Sequence, residues 1–117
     1  MARRLVPLSE EVFVEACRRI DAGDAQRVDL KTATMHLLAL LVEKAPGGSV
    51  EVRVPPFAAV QCISGSRHTR GTPPAVVEMD APTWIALARG QLKWNEATLR
   101  ASGERSDLSP HLPLVDV

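Results

Sequence analysis

The segment VEVRV, Val50 to Val54, constrains the fold most, because its apolar and charged side chains alternate strictly. Successive side chains of a β-strand point to opposite faces of the sheet, so the three valines share one face. Glu51 and Arg53 share the other face. Pro55 and Pro56 follow at once and cannot donate ladder hydrogen bonds, so they bend or end the strand. The segment therefore predicts a strand with one apolar face.

Two amphipathic helices are predicted before this strand. Ser9 is suited to cap the first one, since Glu10 and Glu11 then lie at its positive end, and Gly23 can end it. This predicts an N-terminal covering helix within residues 1–26. The second helix runs from about Asp29 to Lys44 and carries apolar residues on two sides, which indicates packing on a sheet with another element at its flank. His36 falls on the remaining polar strip, together with Thr32, Ala39 and Glu43, so we expect a solvated histidine.

Further strands and a third helix are predicted after the prolines. Apolar segments at Phe57 to Ile63, Ala75 to Met79 and Thr98 to Ser102 have strand patterns. Between the last two, Asp80 caps a short helix that Gly90 ends, and the letters KWNEA indicate one more helical turn. A helical start followed by neighbouring strands predicts a single α+β domain, residues 1–117, with a mainly antiparallel sheet.

Composition and charge exclude several classes of function. Fourteen basic and fourteen acidic side chains cancel, and the aromatic residues are two Trp, two Phe and no Tyr, so we expect no nucleic-acid partner. The longest uncharged apolar run, Leu37 to Val42, is far shorter than a membrane span needs, and Pro7 precedes any apolar stretch of a signal peptide. Cys17 and Cys62 stand alone, which favours buried thiols over a metal site. These features predict a soluble cytoplasmic protein without metal or cofactor.

A cationic segment, SGSRHTRGTPP from Ser64 to Pro74, is the strongest candidate for a binding site. Arg67, His68 and Arg70 lie between two glycines, and Arg53 lies on the charged face of the predicted strand. Guanidinium groups suit carboxylate or phosphate, and a histidine titrates near neutrality. A phosphate-binding loop of the Walker type is excluded, because the glycine spacing is wrong and no lysine or helix follows. The alternative is a solvated surface loop, which the sequence chemistry by itself favours.

The order of segments from about Asp29 onward resembles the small bacterial sterol carrier protein-like family. The resemblance is carried by VEVRVPPFAAVQCISGSRHTRGTPPAVVEMDAPTWIALARGQLKW and by RASGERSDLSPHLPL, in which RVPPFAAVQC and RHTRGTPP are the most specific parts. It implies a core of the fold over residues 27–117, with a five-stranded, mostly antiparallel sheet covered by helices. It also implies an apolar cavity for fatty acyl or sterol-like ligands. The residues expected to line the cavity, unless they are ordinary core residues, are Leu37, Leu38, Leu41, Trp84 and Leu87.

The resemblance implies a non-catalytic carrier, in which the apolar cavity holds the ligand tail and the cationic loop orients an anionic head group. Two alternatives remain open from the sequence. Similar modules form the C-terminal domain of mycothiol-dependent maleylpyruvate isomerase-like proteins, where the module lends an arginine to a metal site held by the partner domain. The chain is alternatively a carrier-fold protein that binds no lipid and serves a protein interface.

Overall fold

A computed structural model describes residues 5–65, 75–103 and 106–117. Helix α1 spans Glu10–Asp21, α2 spans Arg27–Lys44 and α3 spans Ala81–Ala88. The strands are β1 (Val50–Val54), β2 (Ala58–Cys62), β3 (Ala75–Glu78) and β4 (Arg100–Ser102). Two short 3₁₀ turns, Trp94–Glu96 and Ser109–His111, complete the described chain. The elements agree with the predicted α+β order.

The strands of the described residues form one four-stranded mixed sheet in the order β2-β1-β3-β4. The β1–β2 and β3–β4 pairs are antiparallel, whereas β1 and β3 are parallel. The prediction that the segments containing β1 and β2 are neighbours is confirmed. The expectation of a five-stranded sheet is corrected, because the described residues form a sheet of four strands. The parallel pair arises because the chain returns from β2, at one edge, to the far side of β1.

One face of the sheet forms the core. Val50, Val52 and Val54 are completely buried, as their alternation predicts, and Val77 of β3 lies on the same face. Helix α2 packs against β2 and against α3, and the Trp84 indole N–H donates to the Thr34 carbonyl at 3.3 Å between those two helices. Glu51 and Arg53 lie on the opposite, more exposed face of β1. The sheet is therefore covered by helices on its valine face.

Helix α1 lies outside this arrangement and packs on α2. As predicted, its N-cap is Ser9, whose hydroxyl accepts a hydrogen bond from the Val12 amide, and Phe13, Ala16 and Cys17 are buried. Helix α2 is therefore covered from two directions. This explains why its apolar surface is wider than that of an ordinary surface helix.

The burial of His36 corrects the expectation of a solvated side chain. The residue is 6% exposed, its ring stacks on Phe13 with centroids 4.3 Å apart, and its Nδ1 accepts a hydrogen bond from the Leu8 amide at 2.9 Å. Ala39, on the same predicted strip, is fully buried. The strip is polar by composition, but the N-terminal segment and α1 lie over His36. Helical periodicity within α2 carries no information about that cover.

Candidate functional site

An apolar cleft of about 300 Å³ lies between the C-terminal end of α3 and the segment around Leu112. Leu87 and Gly90 form one side, and the chain from Leu92 to Trp94 forms another. Ser109, Leu112 and Pro113 close it. The volume lies at the lower end of the range for small-molecule sites, roughly 300–1,000 Å³. The cleft is therefore suited to a slender apolar group.

The wall formed by Leu112 and Pro113 is held by hydrogen bonds to the two central helices. The Ala88 carbonyl, at the end of α3, accepts from the Leu114 amide at 2.8 Å and from the Val115 amide at 3.3 Å. Lys44, at the end of α2, donates its ammonium group to the His111 carbonyl at 2.8 Å. These bonds place residues 111–115 across the ends of both helices. The cleft is thus built by segments that are far apart in sequence.

An ion pair between a buried arginine and a half-exposed aspartate lies in the same region. The Arg89 guanidinium, whose side chain is 3% exposed, donates to both carboxylate oxygens of Asp21 at 3.0 and 2.9 Å, and to the Val117 backbone oxygen at 2.7 Å. The hydrogen bond from Arg89 lowers the pKa of the Asp21 carboxyl. Arg89 therefore joins α1, the end of α3 and residue 117 beside the cleft.

The structure separates the predicted cavity residues into two groups. Leu87 borders the cleft. Leu37, Leu38 and Leu41 of α2, and Trp84 of α3, are completely buried in the core cluster. In the described structure these four contact protein on every side, so their contact with a ligand stays a prediction.

Of the predicted cationic residues, Arg53 is the one that lies within the described residues. Arg53 borders a different, shallow cleft beside Pro55, Phe57 and Glu78, and its Nε donates to the Glu51 carboxylate at 2.6 Å. Hydrogen bonding to Glu51 raises the pKa of Arg53. Arg67, His68 and Arg70 lie outside the described residues. Their role in binding a head group stays a prediction.

The register of the sheet places Cys62 and Ala75, the strand residues on either side of the cationic segment. Val50 lies opposite both Cys62 of β2 and Ala75 of β3, so the chain leaves and rejoins the sheet at the first residue of β1. Arg53 lies three residues further along β1, about 10 Å away at the usual strand rise. At the first residue of the segment, the Ser64 hydroxyl donates to the carbonyl of Pro46, two residues beyond Lys44, at 3.0 Å. The segment therefore begins near the end of α2 that also holds His111.

Sequence reasoning missed Lys93, which lines the apolar cleft and is exposed. In the described part of the chain it forms no ion pair. A lysine beside Trp94, three residues after the helix-ending Gly90, is a weak signal in the sequence. Lys93 becomes a candidate for ligand binding only in the structure, where Leu112 and Pro113 line the same cleft.

Both cysteines are buried and free, as predicted. Burial raises the pKa of the Cys17 thiol and raises that of Cys62 to about 11. A thiol with so high a pKa is a poor nucleophile at neutral pH, because little of it is ionised. Among the described residues no cluster of histidine, cysteine, aspartate or glutamate is suited to hold a metal ion. In that same part of the chain, no helix is long and apolar enough to cross a bilayer.

Comparison with known families matches residues 26–114 to the family described as bacterial SCP ortholog. The match includes α2, the sheet, α3 and the cleft, and it begins after α1. No curated protein matches the chain. Since the match covers most of the sequence, this chain belongs to the bacterial sterol carrier protein-like family described as bacterial SCP ortholog.

Proposed function

We propose that this protein is a non-catalytic carrier that binds a lipid-like ligand with a single acyl chain in the cleft beside α3. The observation that supports the proposal is the cleft itself, whose walls are Leu87, Leu92, Trp94 and Leu112, in a chain of the sterol carrier protein-like family. Its small volume favours a linear chain over a rigid polycycle. Residues 111–115 act as the wall that covers the chain.

The energetics of such a ligand divide between tail and head. Each buried methylene contributes ~0.8 kcal/mol, so eight of them contribute ~6 kcal/mol before the costs of binding. One hydrogen bond to a charged group contributes only ~1.5–3 kcal/mol. The apolar cleft therefore sets the affinity. The head group adds selectivity between acids and neutral analogues.

Lys93 is the cation that the proposal places nearest to a bound head group, because it lines the cleft from an exposed position. A flexible ammonium group suits a carboxylate or a phosphate equally. Arg67, His68 and Arg70 remain further candidates on the basis of the sequence. Arg53 remains one only if its pairing with Glu51 is broken.

The proposal is tested by titrating the delipidated protein with dansyl-labelled undecanoic acid and following the dansyl fluorescence. We expect saturable binding to the wild-type chain. Leu92→Trp fills the cleft, and displacing about four methylenes costs ~3 kcal/mol, which corresponds to a Kd roughly a hundredfold weaker. Val28→Trp is the matched control, since Val28 is 62% exposed at the start of α2 and does not line the cleft.

Thermal unfolding of both variants shows whether the fold is retained. The proposal is overturned if the wild-type chain shows no saturable binding. It is also overturned if Leu92→Trp, while folded, binds the probe as well as Val28→Trp does. Absent acyl binding would leave the protein-interface function as the better interpretation of this family member.

A further inference from the structure

The N-terminal cover, defined as residues 5–25, lies outside the part of the chain that matches the family. It consists of an extended segment and α1, and it packs on α2. Its far end is fixed by two ion pairs, Asp21 with Arg89 and Arg19 with Asp29. Its near end is fixed at His36 of α2. The attachment at this near end depends on whether the imidazole ring of His36 is protonated.

The hydrogen bond at His36 requires the neutral ring. The Leu8 amide donates to Nδ1 at 2.9 Å, so Nδ1 carries a lone pair and no proton. In the doubly protonated ring both nitrogens are donors, and Nδ1–H would then face the Leu8 N–H. Two donors in contact repel, and each loses its partner in a site that is 6% exposed. Protonation and the closed cover are therefore mutually exclusive at this contact.

We propose that His36 is an acid-sensitive latch whose protonation releases the near end of the N-terminal cover, from Leu5 through Phe13, from α2. The far end stays attached, because Asp21 and Asp29 remain ionised in the same pH range. Leu5 and Phe13 pack on the core when the cover is closed. Release therefore exposes apolar surface on α2 and on the cover itself.

The surroundings of His36 agree with this direction. Burial lowers the pKa of His36, and Glu43 on the same helix opposes that effect. Helix α1 contributes the uncharged ring of Phe13, and the extended segment contributes the Leu8 amide. Glu10 and Glu11, the acidic residues in the first turn of α1, are exposed. Among the described residues, Glu43 is thus the charge that acts on the ring.

The sign of the pH dependence follows from the lowered pKa. Above about pH 6.5 the ring is neutral in both the closed and the open cover, so closure is unaffected by pH. Below that pH the open form binds a proton more readily than the closed form. The opening equilibrium then rises by up to about tenfold for each pH unit.

Amide hydrogen exchange measured by NMR tests the latch in the full-length chain. Exchange rates of the Leu8 to Phe13 amides are divided by those of an unstructured reference peptide at the same pH. We expect their protection to fall by up to about fivefold between pH 6.5 and 5.5, because the open form is already half protonated at pH 6.5. The β1 amides of Glu51 and Arg53 report global unfolding, and we expect them to keep their protection.

Two variants make the test specific. His36→Asn retains an acceptor near the position of Nδ1 but does not titrate, so we expect protection of the cover that is independent of pH. His111→Asn is the matched control, because within the described residues its hydrogen bonds are made by the backbone, whose carbonyl accepts from Lys44 and whose amide donates to Leu108, and we expect its cover protection to follow that of wild type. The latch is refuted if wild type and His36→Asn show the same pH profile, or if the β1 amides lose protection in parallel with the cover.

A measurement on the wild-type chain keeps the test valid if His36→Asn does not fold. The ¹⁵N shifts of the His36 ring report whether Nδ1 is unprotonated at pH 7.5 and at which pH it gains a proton. We expect that midpoint to coincide with the loss of cover protection. A ring with Nδ1 protonated at pH 7.5, or a midpoint unrelated to cover opening, contradicts the latch.

Discussion

At the scale of single residues, a tight backbone contact lies where α2 turns into the sheet. Ile63 has a φ of +65°, which is strained for a β-branched residue, and its amide donates to the Ala45 carbonyl at 2.6 Å. The Ser49 hydroxyl donates to the Ile63 carbonyl at 2.6 Å. Gly47 passes directly over this carbonyl. The turn therefore depends on a residue without a side chain.

Gly47→Ala is expected to destabilise the fold strongly. Its Cβ would lie 2.3 Å from the carbonyl carbon and oxygen of Ile63, and its φ is +149°. Strain of this kind costs about 3 kcal/mol. Urea unfolding at pH 7 measures the loss. Gly23→Ala is the control, because its φ is also positive but no atom lies within 4 Å, so about 1 kcal/mol is expected. Equal losses in the two variants would contradict the steric explanation.

The environment of a residue could be predicted from the sequence where its contacts are with residues close in sequence. The caps Ser9 and Asp80 were predictable, because each accepts a hydrogen bond from an amide three residues ahead. The burial of Val52 was predictable from alternation. His36 was not, because its cover comes from Leu8 and Phe13, which are distant in sequence.

At the scale of elements, helix α1 is attached to the family core at three places. Phe13 packs on His36, Arg19 pairs with Asp29 at the start of α2, and Asp21 pairs with Arg89 at the end of α3. The apolar face of α1 was predictable from its periodicity. Its partners were not, since Arg89 lies in a different helix and nothing local marks it as buried. The same limit applies to β3, whose pairing beside β1 depends on the whole sheet.

The Asp21–Arg89 pair is expected to make stability depend on pH in acid. The pKa of Asp21 is lowered in the folded chain by the hydrogen bond from Arg89, so its contribution is present above the unfolded value of about 3.8 and is lost as pH falls below it. Asp21→Asn removes this contribution and leaves the buried Arg89 with weaker partners. Because the Asp21 side chain is 53% exposed, we expect a loss of about 2 kcal/mol at pH 7.

Urea unfolding at pH 7, 4 and 3 measures this effect. We expect the difference between wild type and Asp21→Asn to shrink as the pH falls through the lowered pKa. Asp24→Asn is the control, since Asp24 is exposed and forms no ion pair within the described residues. A constant difference from pH 7 to 3 would show that the carboxylate charge is not what Arg89 requires.

At the scale of the whole molecule, the two candidate cations within the described residues, Arg53 and Lys93, lie in different regions. Arg53 is on the outer face of the sheet and is paired with Glu51. Lys93 is at the apolar cleft, and Ser64, the first residue of the cationic segment, lies near the end of α2 that holds His111. The sequence predicted a head-group site on the segment with Arg53 as a further candidate, and this stays a prediction because Arg67, His68 and Arg70 lie outside the described residues. The cleft depends on residues 111–115 crossing two helix ends, which sequence patterns do not reveal.

The binding affinities of an acid and of its neutral analogue show which cation contacts the head group of a ligand in the cleft. If Lys93 binds the head group, Lys93→Ala should weaken dodecanoate binding by about tenfold to a hundredfold, the loss of one charged hydrogen bond, and leave dodecanol binding unchanged. Displacement of the dansyl probe measures both affinities. Lys31→Ala, an exposed lysine on α2, is the control.

The double variant Arg67→Ala, Arg70→Ala tests the segment in the same assay. A selective loss only in that variant would assign the head group to the segment, whereas equal losses for acid and alcohol would mean that neither cation recognises charge.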